Sequence, residues 1–307
     1  QGARDILAEQ INEDERSRQT VRRSFERTAL IRSKVVKSKE AEAGKYRDYF
    51  DWEEPLRRCT SHRLLARRRG EAEGYLRVTI VPADEDDCLQ RVERPYVKPG
   101  TPAARQVEMA AADAYKRLLK PSIETEFSGS SKGKADEEAI RVFADNLKQL
   151  LLAAPLGEKR IMGIDPGFRT GCKVVCLDAQ GNLLHNETIF PHPPQSQYAR
   201  AGFKLNSLVE QYHIEAIAIG NGTAGSETED LGKDVIMKNV DGLLVGEGGA
   251  AVYSASKLAR EEFPDYDVTV RGAVSIGRRL ADPLAELVKI DPKAIVVGQF
   301  QHDVDQA

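Results

Sequence analysis

The sequence predicts an all-α part followed by an α/β part: a mainly helical domain over residues 1–157, then a mixed sheet with helices packed on it. Three observations carry that expectation. The chain has 307 residues, and single hydrophobic cores rarely grow beyond roughly 250–300 residues, so about two domains are expected. The first half is dominated by apolar residues at helical spacing. After Pro155-Leu156-Gly157 the pattern changes to three successive strand-like runs and then to alternating helix and strand, the order that builds a mixed sheet.

In the first half, GARDILAEQINEDERSRQTVRRSFERTALIRSKVVKSK has no proline and one glycine. Its apolar residues Ile6, Leu7, Ile11, Val21, Phe25, Leu30 and Val35 follow a helical period, which predicts helix throughout. EEPLRRCTSHRLLARRRG is expected as a second helix, closed by Gly70. GYLRVTIVP alternates and predicts a short strand ending at Pro82. TPAARQVEMAAADAYKRLLKP reads as helix, with Thr101 as N-cap and Pro102 at the first helical position. SGSSKGKADEEAIRVFADNLKQLLLAAPLG is expected to open as a polar loop and continue as an amphipathic helix.

In the second half, KRIMGID, GCKVVCLDA and NLLHNETIF predict three strands, with Gly181-Asn182 turning the second into the third. FPHPPQ is a stiff loop and YARAGFKLNSLVEQYHI a helix. EAIAIGNGTAG is a buried strand that runs into a glycine-rich loop. SETEDLGKDVIMKN reads as helix and DGLLVGEGG as a strand. SASKLAREEFP and VRGAVSIGRRLADPLAELVKI are helical.

Composition narrows the function classes. Residues 1–157 hold 30 Lys and Arg against 27 Asp and Glu, a net of +3; residues 158–307 hold 15 against 21, a net of −6. Tight non-specific nucleic-acid binding usually shows a domain pI above ~9, so any such binding must use local patches or segments outside this sequence. No apolar run approaches the ~20 residues that cross a bilayer, and no membrane partner is expected. QGARDILAEQ shows no signal peptide. It also lacks an initiator methionine, and VVGQFQHDVDQA reads as an unfinished helix, so a fragment of a longer protein is expected. The four cysteines are scattered. Cys172 and Cys176 in one strand would sit about 13 Å apart, whereas a disulfide needs less than ~7 Å. Two core-facing thiols on one face are expected, in a reducing, cytoplasmic setting. The five histidines follow no zinc-binding spacing.

Several long stretches carry a resemblance. GIDPGFRTGCKVVCLD, AIAIGNGTA, VYSASKLAREEFPDYDVTVRGAVSIGRRLADPLAELVKIDPKAI and VGQFQHDV resemble the Tex family of bacterial transcription-accessory proteins. YFDWEEPLRRCTSHRLLARRRGEAEGYLRV in the helical half is similar too. The resemblance covers nearly the whole chain and extends to the eukaryotic elongation factor of the suppressor-of-Ty group. It implies a YqgF-like, ribonuclease-H-type domain over residues 158–282, preceded by a helical scaffold. Residues 283–307 would begin a helical linker toward helix-hairpin-helix modules and an S1 RNA-binding domain that this sequence does not contain. The implied function is nucleic-acid binding in support of transcription. The implied partners are RNA or single-stranded DNA, mostly through those absent modules, and RNA polymerase. One stretch departs from the family pattern: Gly225 and Gly246 stand where a basic or small polar residue is expected, which leaves the register around Glu247 open.

Whether such a domain cuts nucleic acid turns on its acids. Phosphodiester cleavage in this fold uses two Mg²⁺ ions, each wanting several oxygen ligands, so three or more carboxylates must converge. Asp165, at the end of the first strand of the α/β part, fits the first place. Glu247, after the fifth, fits a second. The third should sit near the start of the last long helix, where the chain offers Arg271, Gly272 and Ser275. Asp282 lies too far along that helix and precedes Pro283, which reads as an N-cap; Asp291-Pro292 repeats the device. Asp165 and Glu247 are therefore expected to be vestigial, with no catalytic residues, resident metal or cofactor. Asp165 would then cap the Pro-Gly turn. Two alternatives stay open: a Mg²⁺-dependent nuclease or resolvase using Asp165 and Glu247, and a protein-interaction scaffold for the transcription machinery.

Candidate nucleic-acid contacts are Arg63, Arg67 and Arg68 of the basic run, Arg169, Asn221 in GNGTAG, and Arg271, which would pair with Asp165 or with a phosphate. The plainer reading of the run is a solvated face pairing with Glu53, Glu54, Glu71 and Glu73. GNGTAG offers backbone N–H groups to a phosphate or makes a tight turn, with Thr223 or Ser226 as caps and Glu229 completing a capping box.

Overall fold

The structure is a computed structural model that describes residues 1–235 and 240–307. It divides into two units, residues 1–142 with 300–307, and residues 143–299. The boundary falls within one long helix.

The first unit contains α1 (Gly2–Glu13), α2 (Glu15–Thr28), β1 (Leu30–Val35), β2 (Asp51–Pro55), α3 (Ser61–Ala72), β3 (Leu76–Val81), α4 (Glu85–Glu93) and α5 (Ala104–Asp113). α6 (Lys120–Leu151) begins in it. Three departures from the sequence reading have physical causes. The expected first helix is two helices and a strand. Asp14 ends α1 and caps α2 by accepting the Arg16 N–H. Leu30–Val35 then switches to period 2, burying Ile31 and Ser33 between outward Arg32 and Lys34. β1 becomes the centre of an antiparallel sheet of order β2-β1-β3. Glu53–Pro55 likewise belongs to β2, so α3 starts only at Ser61.

Second, Gly70 lies inside α3 rather than ending it, because a Cβ there would come 2.5 Å from Leu76 Cδ1. The turn that follows uses Gly74, at φ +80°. Third, SGSSKGK is helical. Ile123 and Ala135 are buried and Phe127 and Ala139 packed on the same core, so spacing by fours holds the glycine- and serine-rich stretch of α6 in register. Thr101 does not cap α5; its hydroxyl donates back to the Lys98 carbonyl.

The second unit follows the predicted order. β4 (Ile161–Asp165), β5 (Cys172–Leu177) and β6 (Leu183–Ile189) meander, then α7 (Tyr198–Gln211), β7 (Ala216–Gly220), α8 (Gly225–Val235) and β8 (Asp241–Val245) alternate. α9 (Ala250–Ala255), α10 (Lys257–Glu262), α11 (Val268–Ala281) and α12 (Pro283–Leu287) complete it. The mixed sheet has order β6-β5-β4-β7-β8, with β7 and β8 parallel to β4. The helix expected over SETEDLGKDVIMKN is described to Val235; Ile236–Asn239 lie outside the described residues.

The two faces of β4 set the layers. Met162 and Ile164 join Cys172, Val174 and Cys176 in a cluster with α7 residues Leu205 and Leu208. Both thiols of the Cys172/Cys176 pair are free and buried there. Ile161 and Asp165 face the other way, toward α11. That helix rests directly on β4, because a Cβ at Gly163 would lie 2.5 Å from the Ala273 carbonyl oxygen. No helix among the described residues is long and apolar enough to cross a membrane.

Candidate functional site

Two strand ends, β4 and β8, and two helices, α9 and α11, line a cleft of about 250 Å³ on the α11 side of the sheet. β4 delivers Asp165 to its edge. β7 ends at Gly220, and the glycines of Gly220-Asn221-Gly222 have a specific reason: a Cβ at Gly222 would lie 1.7 Å from Glu247 Oε1, and one at Gly220 2.4 Å from Oε2. The Glu247 carboxylate therefore lies against this turn. Asn221 fixes it further, its side-chain oxygen accepting the Glu247 N–H at 3.2 Å. The glycines of GNGTAG thus seat a carboxylate. α8 starts at Gly225, so Ser226 is inside the helix and is not its cap.

α11 closes the cleft. Asp267 caps it by accepting the Thr269 and Val270 N–H groups, which fixes its phase. Thr269, Gly272 and Ile276 then line the cleft at spacings of three and four. A Cβ at Gly272 would sit 3.4 Å from Asp165 Oδ2, so the carboxylate is pressed against bare helix. Burial pushes the Asp165 carboxyl up to about 6, and the Glu247 charge adds to the effect.

The third metal-ligand position supplies no acid. Arg271 is buried and turned away; its guanidinium donates to the Phe263 carbonyl at 3.2 Å and the Ser254 carbonyl at 3.3 Å. It pairs with neither Asp165 nor solvent, contrary to the sequence expectation. Ser275 donates to buried Glu286 at 3.0 Å. Asp282 caps α12 through the Ala285 N–H, as its Asp-Pro context predicts. Among the described residues no three His, Cys, Asp or Glu side chains converge as metal ligands do. The residues present therefore do not fit the two-ion arrangement of the ribonuclease-H fold.

The remaining candidates scatter. Arg63 and Arg67 both engage Glu54, and Arg67 has 0% exposed side chain. Arg68 pairs with Glu71. Arg67 is thus an internal counter-ion, and its expected phosphate contact has no route to solvent. Arg169, four residues beyond Asp165, and Asn221 are exposed. Within the basic run, Arg57 and Arg58 are exposed and carry no ion pair among the described residues. Sequence reasoning named two residues of the site without seeing their place in it. Gly272, not Arg271, faces Asp165, and the helical period from the Asp267 cap is the signal that selects it. Arg279, legible in the sequence as half of the basic pair Arg278-Arg279, is buried below Glu247 and donates to the Gly246 carbonyl.

The chain matches two family models, one described as Tex central region-like over residues 1–143 and one as Tex protein YqgF-like domain over residues 159–281. It is 45% identical over 323 residues to "Protein tex" of Bordetella pertussis, covering 99% of this chain and 41% of that protein. It is 42% identical over 322 residues to "Transcriptional accessory protein Tex" of Neisseria gonorrhoeae, covering 100% of this chain and 41% of that one. Against human "S1 RNA-binding domain-containing protein 1" it is 34% identical over 323 residues, covering 99% of this chain and 32% of the relative. The chain thus spans less than half the length of these relatives.

Proposed function

The chain belongs to the Tex family, and from that premise we propose that it is the central part of a transcription accessory factor that binds RNA or single-stranded DNA. On this reading its ribonuclease-H-type domain docks and does not cut. The observation that carries the proposal is the two-acid cleft: Asp165 and Glu247 face α11 across Gly272, while Arg271 is committed to backbone carbonyls. Two carboxylates leave a pair of divalent ions short of protein ligands. A concave site with the shape of a nuclease but not its ligands remains able to receive a strand or a protein. The names of the relatives, with transcription in one and S1 RNA binding in another, support nucleic acid as the partner.

Labelled single-stranded and branched substrates, incubated with the chain in Mg²⁺ or Mn²⁺, are expected to stay intact. Cleavage that disappears on Asp165→Ala would overturn the reading. Filter binding is expected to show weak retention of RNA by this chain and stronger retention by a longer form carrying an S1 domain.

A further inference from the structure

We propose that a groove in the first unit, bounded by α2, the Leu56–Arg58 turn leading into α3, and α6, holds a nucleotide of a single-stranded nucleic acid. The phosphodiester would lie on Arg27, Arg57 and Lys134. The inference rests on the nucleic-acid binding proposed above and places part of it outside the ribonuclease-H-type domain.

The groove is a cavity of about 430 Å³, within the 300–1,000 Å³ range of small-ligand sites. Its accessible floor is made by Leu56 and Phe127, which rest on the buried side chains of Phe25 and Leu64; the ring centroids of Phe25 and Phe127 are 5.4 Å apart. Its rim is basic. Four other arginines of the run are occupied: Arg63 and Arg67 by Glu54, Arg68 by Glu71, Arg69 by Asp303. Arg27, Arg57 and Lys134 come from three separate elements, line the same groove, and carry no ion pair among the described residues.

Two carboxylates also line it, Glu26 and Glu138. Glu138 already accepts the Ser61 hydroxyl, and three cations against two acids leave a charge of +1. α3 adds to this, since its first turn opens at the groove and Thr60 provides no side-chain cap. An apolar floor beneath a cationic rim is the pairing that single strands use, with bases against apolar rings and the backbone on positive charge. A duplex keeps its bases stacked inside and has no use for the floor. Guanidinium groups suit the phosphate, since each can donate two parallel hydrogen bonds.

The test is anisotropy of a fluorescent oligouridylate with the chain. Replacing three exposed side chains, Arg27→Ala, Arg57→Ala and Lys134→Ala together, should leave the melting temperature nearly unchanged. Affinity should fall about tenfold or more, and the slope of log affinity against log salt should shrink by about 2, at roughly 0.7 per lost contact. A control triple of equal charge, Arg91→Ala, Arg117→Ala and Lys257→Ala, should bind as the parent does. Crosslinks from 4-thiouridine should map to 56–64 or 127–138. Parent-like binding by the groove variant, or an equal loss in the control, overturns the groove and leaves the proposed function standing. Absence of any oligomer binding by the parent chain removes both. Displacement of the oligomer by about 10 mM inorganic phosphate at constant ionic strength would assign the groove to a free anion and overturn the strand.

Discussion

Asp165→Asn should stabilise the protein at neutral pH. Burial and the Glu247 charge move the carboxyl from 3.8 to about 6. At ~1.4 kcal/mol for each tenfold gain in proton affinity, keeping it charged at neutral pH costs the fold ~3 kcal/mol. That is an upper value, because the side chain keeps some contact with solvent. Between pH ~4 and ~6 the folded form holds a proton that the unfolded chain has lost, so stability falls as pH rises through that window. Below pH ~4 both forms are protonated and the difference vanishes. The asparagine variant carries no charge at any pH. At pH 7.5 it should melt higher by about 2–12 °C, for ~1–3 kcal/mol at roughly 2–4 °C per kcal/mol in a unit of this size. At pH 4, where the unfolded carboxyl is still partly ionised, the gap should shrink to about 1–2 °C or less. Thermal unfolding followed by circular dichroism in EDTA from pH 4 to 8 reads both ends. Equal or lower stability of the variant at pH 7.5, or a gap undiminished at pH 4, would show that Asp165 is not a strained acid. A rise in parent melting temperature with Mn²⁺ that Asp165→Asn abolishes would be equally damaging, since the acid pair would then hold an ion.

Arg67→Ala should cost about 2–3 kcal/mol in chemical denaturation, because it removes a fully buried guanidinium and leaves Glu54 with Arg63 alone; a loss below ~1 kcal/mol would show the pair to be superficial. Gly222→Ala must push the Glu247 carboxylate off its turn, since the new Cβ would fall 1.7 Å from Oε1. The Asp165 titration midpoint, followed by carbon-detected NMR, should then move down from about 6 toward the usual carboxylate range without reaching it, as burial remains the larger cause. Asp282→Ala removes the cap on α12 and should lower stability by ~1 kcal/mol, with no change in oligonucleotide binding.

What the sequence made legible was local. The second unit's sheet could be read because its buried strands are largely apolar runs and its second hairpin turns on Gly181-Asn182. Asp165 and Glu247 could be paired because both follow strand ends on parallel strands of one sheet. The first unit's sheet was hidden: β1 is six residues long and directly continues a helical pattern, so its period-2 signal is too short to displace the longer one. The side chain opposite Asp165 was misplaced by one residue. Helix phase is set by the Asp267 cap, and about 100° of rotation separates Arg271 inside the protein from Gly272 at the cleft. The glycines of GNGTAG were ambiguous for a different reason. What they accommodate arrives from another strand, 25 residues later, and no local pattern carries that information.

The same geometry sets the electrostatic surroundings of the acid pair. Two carboxylates enclosed together ask for a cation, and in the ribonuclease-H arrangement that cation is a metal. Here the protein supplies a fixed one to only one partner. Arg279 is buried beneath the Glu247 loop, is held in place by the Gly246 carbonyl, and feels both Glu286 and Glu247. Its Nε and Nη2 are buried with no hydrogen-bond partner among the described residues, and its charge acts on Glu286 and Glu247 through space. Glu247 thus has a fixed cation beneath it, while burial and the charge of Glu247 raise the Asp165 carboxyl. An arginine fixed in the fold cannot leave, be exchanged, or polarise a water as a bound metal does. On the proposed reading, a cleft compensated in that way keeps the ribonuclease-H shape and serves as a docking surface rather than a metal site.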